Sequence, residues 1–231
     1  MVKIESYLFR KGVLLTLSFI GLLWLVRGME WAVAMNFFRF GILPRTPEGL
    51  VGIVTAPLIH GDSTHLLSNT LPLLILGVAL FYFYDRVAVL VFILIYAFTG
   101  AWVWMAARSA YHVGASGLVY GLFAFIFISG LIRREKQTLV VSMIVFFLYG
   151  SLLHGAVPDN PNVSWESHIY GAIAGLFCAF YFRKSLVTSI APREVSQQHV
   201  HAYTQVSSTR NNLSYEYKLM EPTPAANSDV A

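Results

Sequence analysis

Charge is scarce in this chain of 231 residues: Asp, Glu, Lys and Arg together make up only 12% of it. A soluble domain carries about a quarter of its residues as charges to hydrate its surface, so an ordinary soluble globular protein is excluded. Cysteine is all but absent. The single Cys178 excludes an internal disulfide and any cysteine-rich metal site. Excess charge of one sign is small as well. The net charge is +4, and the basic residues lie in short clusters between apolar blocks, which is not a nucleic-acid footprint. Internal repeats are lacking, which disfavours an inverted-repeat transporter.

What is present is apolar: 56% of the residues are hydrophobic, gathered in long blocks. Blocks of about 17–25 apolar residues read as membrane-spanning helices. Six spans are expected, near residues 12–29, 65–84, 87–107, 116–132, 138–154 and 167–183. The fourth, fifth and sixth are short for a full crossing. The expected fold class is therefore all-α, a polytopic bundle of six transmembrane helices over residues 1–183. Residues 184–231, rich in Ser, Gln and Asn, read as a polar tail without regular structure.

Loop charges set the expected orientation. Lys3, Arg10, Lys11, Arg86, Arg133, Arg134, Lys136, Arg183 and Lys184 fall on one side, against Arg39, Arg45 and Arg108 on the other. By the positive-inside bias both termini are cytoplasmic. The first apolar run, with Ala32-Val33-Ala34 after it, also has the outline of a signal peptide, although Arg27 and Glu30 interrupt it; an uncleaved span is the better reading. Residues 30–64 form a long loop whose Trp31, Phe37, Phe38 and Phe40 suit either an interfacial segment or a plain extracytoplasmic loop. Residues 155–165, rich in turn formers, make a candidate lid.

Polar side chains inside spans are costly and mark function by default. His65 and Asn69, Ser116, and His168 lie at the beginnings of the second, fourth and sixth spans, which all run in the same direction. The four groups thus share one depth in the outer half of the bilayer. Ser116 sits in Gly114-Ala115-Ser116-Gly117, at a helix start whose free N–H groups could hold an oxyanion. His168 precedes Gly171 and Gly175 at i+3 and i+7, a small-residue stripe that would bring its helix close to another. A neutral imidazole is the natural base for a serine hydroxyl. His65 and Asn69, at i and i+4, share a face and can both donate hydrogen bonds, to an oxyanion or simply between helices. His60 could support the site, although a solvated loop histidine is the simpler reading. Glu166 reads as a charge matched to a helix N-terminus, and His112 and His154 have no such setting. Cys178 reads as packed or lipid-facing.

The pattern resembles the rhomboid intramembrane proteases. The resemblance covers about residues 50–183 and rests on three segments in order: His60-Gly-Asp-Ser-Thr-His65-Leu-Leu-Ser-Asn69, then Gly114-Ala-Ser116-Gly117 with Tyr120, then His168-Ile-Tyr-Gly171-Ala-Ile-Ala-Gly175. It implies a serine endopeptidase that cleaves transmembrane protein substrates within the lipid bilayer, near the outer face. Ser116 would be the nucleophile, His168 the base, the Ser116 N–H with His65 and Asn69 the oxyanion donors, and Tyr120 a ring packed on the histidine. Substrate would enter between the second and fifth spans. No metal or cofactor is called for, and a bacterial cytoplasmic membrane is the expected location. The Trp–Arg pair often found in the family's first long loop is not clear, because Trp31 and Arg39 are separated. A catalytically silent helix-binding relative and a transporter are the rival readings.

Overall fold

The computed structural model describes residues 2–134, 136–150, 157, 163–187, 205–209 and 212–216. Two compact units are separated between Ser189 and Ile190. The first is helical: α1 (Val2–Ala32), α2 (Gly52–Thr55), α3 (Ser63–Phe83), α4 (Ala88–Ala106), α5 (Ser116–Arg133), α6 (Lys136–Tyr149), α7 (Trp165–Tyr181) and α8 (Arg183–Val187). Among the described residues, four helices are long and apolar enough to cross a membrane: α1 from Glu5, α3, α4 and α5. Helices α6 and α7, over the fifth and sixth expected spans, are shorter. In the second unit, expected to lack regular structure, strands Gln205–Thr209 and Asn212–Glu216 pair antiparallel, with Gln205 opposite Glu216 and Thr209 opposite Asn212.

Helix α5 lies at the centre, packed by α3, α4, α6 and α7, while α1 packs on α3 from outside. Phe125, Leu122 and Ile126 of α5 are fully buried against Leu73, Leu76 and Leu80 of α3 and Ile95 of α4 in one core. Apolar burial cannot by itself join helices in lipid, so close backbone contact and interhelical hydrogen bonds must hold the bundle. The α5–α7 seam shows this. A Cβ on Gly171 would lie 2.0 Å from the Gly117 carbonyl oxygen, and one on Gly175 would lie 2.1 Å from that of Gly121. The two GxxxG stripes thus touch backbone to backbone. On another face of α5, the buried Ser142 hydroxyl of α6 donates to the Ile126 or Thr138 carbonyl, at 3.0 and 2.8 Å. At the far end, Arg133 Nη1 donates to the Phe83 carbonyl (3.1 Å), closing the end of α3.

Helix α1 runs beyond its expected span at both ends. Charged residues limit the apolar stretch and not the helix, so hydropathy reads short. Arg27 and the buried Glu30 pair at 2.9 Å, and Glu30 accepts the Phe37 N–H at 2.8 Å, turning the chain into the first loop. That loop is folded: short turns at Phe38–Phe40, Glu48–Leu50 and Ala56–Leu58 flank α2. Arg39 lies over the Phe40 ring and Arg27 over Trp31, so Trp31 and Arg39 each have a different partner. Most of the candidate lid, with His154, lies outside the described residues.

Candidate active site

The N-terminal ends of α3, α5 and α7 meet around one cavity of about 780 Å³. His65, Asn69, Ser116, Tyr120 and His168 all line it. Three helix beginnings at one end of the bundle therefore bring together the five residues on which the expected site rests.

Helix α3 is started by Asp62, whose extended backbone lets its carboxylate accept the His65 N–H at 2.7 Å. That bond holds the exposed carboxyl of Asp62 below the ordinary carboxylate range. One turn on, Asn69 Nδ2 donates to the His65 carbonyl at 3.2 Å. A primary amide has two N–H donors, so a second is available to the cavity. Pro72, a further turn along the cavity wall, has no N–H and leaves the Ser68 carbonyl without its helical bond.

The start of α5 is shaped by the backbone. Gly114 has φ +110°, and a Cβ there would also lie 2.7 Å from His65 Cε1. Only glycine meets both conditions. Its N–H bonds the Ala56 carbonyl at 2.9 Å, and the Ala115 N–H bonds His60 Nε2 at 3.3 Å. No side chain caps the helix, so the first-turn N–H groups and the positive end of the dipole lie beside the Ser116 hydroxyl. Across the α5–α7 seam the His168 imidazole stacks on the Tyr120 ring, with centroids 4.1 Å apart and planes within 5°. Ser116 and His168 are both buried and form walls of the same cavity.

Two expectations are corrected and a third is extended. His60 is not solvated; it is 2% exposed, set edge to face with His65 at 5.1 Å, and burial pushes its pKa down to about 3. It supports the turn before Ser116. His112 is not an idle loop residue. It is buried, lines the cavity, and exchanges both backbone hydrogen bonds with Ile42 at 2.9 Å. Burial lowers its pKa. Glu166 does lie in the first turn of α7 but is 3% exposed, with Oε2 at 3.3 Å from Arg108 Nη1. Gly121, the partner of Gly175, was legible as the second glycine of Gly117-x-x-x-Gly121. Gly114, Gly117, Gly171 and Gly175 lie behind the cavity and act through the approach they permit. Cys178 is fully buried. Among the described residues no three His, Cys, Asp or Glu side chains cluster to hold a metal ion.

A helical bundle with membrane-length helices and a polar cavity at one end defines a class of polytopic membrane proteins built around an embedded site. The family model of the Rhomboid domain matches residues 47–185, so this chain, an integral membrane protein, belongs to the rhomboid family. It is similar to an uncharacterized protein of Mycobacterium tuberculosis, 34% identical over 71% of this chain and 72% of that one. A protein of Mycobacterium leprae, also uncharacterized, is 32% identical over 73% and 70%. "Putative rhomboid protease YdcA" of Bacillus subtilis is 27% identical over 55% of this chain and 65% of its own length.

Proposed function

We propose that the protein is an intramembrane serine endopeptidase that cuts transmembrane segments of other membrane proteins with a Ser116–His168 dyad. One observation carries the reading. A serine at an uncapped helix N-terminus shares a polar cavity with a histidine seated on an aromatic ring, inside a rhomboid-family bundle.

Substrate enters sideways between α3 and α6, and its helix unwinds locally to free a carbonyl. His168 takes the Ser116 proton as Oγ attacks that carbonyl. Negative charge moves onto the carbonyl oxygen, which accepts from the Ser116 N–H, His65 and the free N–H of Asn69. Each such donor is worth about 10²–10³ in rate. As the intermediate collapses, the imidazolium protonates the leaving amine. Water, deprotonated by His168, then releases the acyl group and restores the serine. The cavity opens toward the outer face of a bacterial cytoplasmic membrane, with both termini inside.

The test uses the purified full chain in liposomes with a single-span reporter substrate and a fluorophosphonate probe. Cleavage and labelling by the parent, both lost in Ser116→Ala, support the reading. Intact substrate and an unlabelled parent in every lipid tried would instead indicate a silent helix-binding relative.

A further inference from the structure

Ser164 occupies the N-cap position of α7, where a serine side chain normally accepts a first-turn N–H, yet it makes no capping bond. Its hydroxyl is spent elsewhere. Ser164 Oγ lies 2.6 Å from His112 Nδ1 and 2.6 Å from Ser167 Oγ. His112 Nε2 lies 3.0 Å from the Arg108 carbonyl. A carbonyl only accepts, so Nε2 carries the proton and Nδ1 of the neutral ring is the acceptor. The chain then has one direction: Ser167 O–H to Ser164, Ser164 O–H to His112 Nδ1, His112 Nε2–H to Arg108 C=O. Beside it, Arg108 Nη2 donates to the Val163 carbonyl at 2.8 Å, and the Arg108 N–H reaches Glu166 Oε1 at 3.4 Å. The Nη1 to Oε2 distance of 3.3 Å is an ion pair without hydrogen-bond alignment, which agrees with Oε2 having no hydrogen-bond partner.

Both ends of this network lie close to the reacting groups. His112 is four residues before Ser116, and Ser164 is four before His168. The Ser164 carbonyl also accepts the His168 N–H at 3.4 Å, starting the helical turn that carries the imidazole. We infer that the His112–Ser164 hydrogen bond and the Arg108–Glu166 ion pair form a positioning latch that sets the spacing between the Ser116 hydroxyl and the His168 imidazole. The inference rests on the dyad proposed above and adds the residues that hold it. The Gly117–Gly171 and Gly121–Gly175 contacts fix how closely α5 and α7 approach. The polar link ties the segments leading into the two helices to each other, at the end of the seam that carries Ser116 and His168.

The latch residues are positioning residues, so the test separates alignment from folding. Ser164→Ala removes the link without removing a cap, Ser164→Thr keeps a hydroxyl, and Glu166→Gln removes the charge while keeping the shape. Each is compared with the parent in liposomes for kcat, KM, fluorophosphonate labelling rate and Tm. Misplacement of about 1 Å costs about 100-fold in rate. Ser164→Ala and Glu166→Gln are therefore expected to lose about 10- to 100-fold in kcat and labelling rate, with KM within about twofold of the parent, and Ser164→Thr to recover most of the loss. An active parent whose Ser164→Ala and Glu166→Gln variants match it overturns the latch alone. So does a loss that tracks Tm and is not recovered by Ser164→Thr. A parent that neither cleaves nor labels overturns the protease reading, and the latch with it.

Discussion

Replacing Gly171 by alanine adds one methyl group at the tightest backbone contact between α5 and α7. The new Cβ would lie 2.0 Å from the Gly117 carbonyl oxygen, 2.7 Å from its carbonyl carbon and 3.0 Å from its Cα. All three are backbone atoms, so no rotamer change relieves the clash. The helices must part by about 1.4 Å to restore an ordinary 3.4 Å contact. Overpacking of this kind costs about 1–3 kcal/mol, and a contact that cannot be relaxed by side chains belongs at the upper end. For a chain of this size that corresponds to about 6–12 °C in Tm. Gly117 adjoins Ser116 and Gly171 is one turn after His168, so the same movement widens the proposed dyad by about 1 Å, and kcat should fall about 100-fold. The control is Gly21→Ala in α1, where a Cβ meets nothing within 4 Å. It should leave cleavage unchanged and Tm equal or slightly higher. Thermal unfolding in detergent and reporter cleavage in liposomes read both effects. A Gly171→Ala protein with the Tm and kcat of the Gly21→Ala control would refute the view that the seam sets the site.

The parts of this architecture visible in the sequence are those that depend on local chemistry. Apolar blocks marked the helices because hydrocarbon demands internally bonded backbone. His65, Asn69, Ser116 and His168 stood out because polar groups in such blocks are costly, and their shared position at helix beginnings foretold one cavity. Gly171 and Gly175 announced a close contact, but its partner was visible only as spacing, and which face of α5 would receive it depends on rotation about the helix axis. The burial of the loop histidines was not legible, for a different reason. Whether His60 or His112 is solvated depends on what covers it. His112 is covered by a strand-like pairing with Ile42, and Glu166 is matched to Arg108 across 58 residues. No local pattern encodes pairings of that span. A buried carboxylate without a partner would be untenable, so the helix-dipole reading of Glu166 accounted for its sign but not its burial.

Asn69→Ala removes one of the proposed oxyanion donors and the bond to the His65 carbonyl, so kcat should fall about 10²- to 10³-fold with KM little changed, read by initial rates over a substrate series. His60 gives a test by pH. Its folded pKa is about 3 against an unfolded 6.5, because burial disfavours the imidazolium and the neighbouring His65 adds repulsion. Between those values the unfolded chain binds a proton that the folded chain refuses. The stability that His60 contributes is therefore complete above about pH 6.5 and is lost as pH falls toward 3, by about 1.4 kcal/mol per unit. His60→Gln does not titrate but keeps an oxygen that can accept the Ala115 N–H, so it isolates the proton from the hydrogen bond. Its Tm should lie near the parent's at pH 7.5 and fall less steeply down to pH 4.5. Parallel Tm curves across that range would mean that His60 titrates alike in both states. The imidazole behind Ser116 would then have to be open to water, and the turn that leads into Ser116 would need some other support.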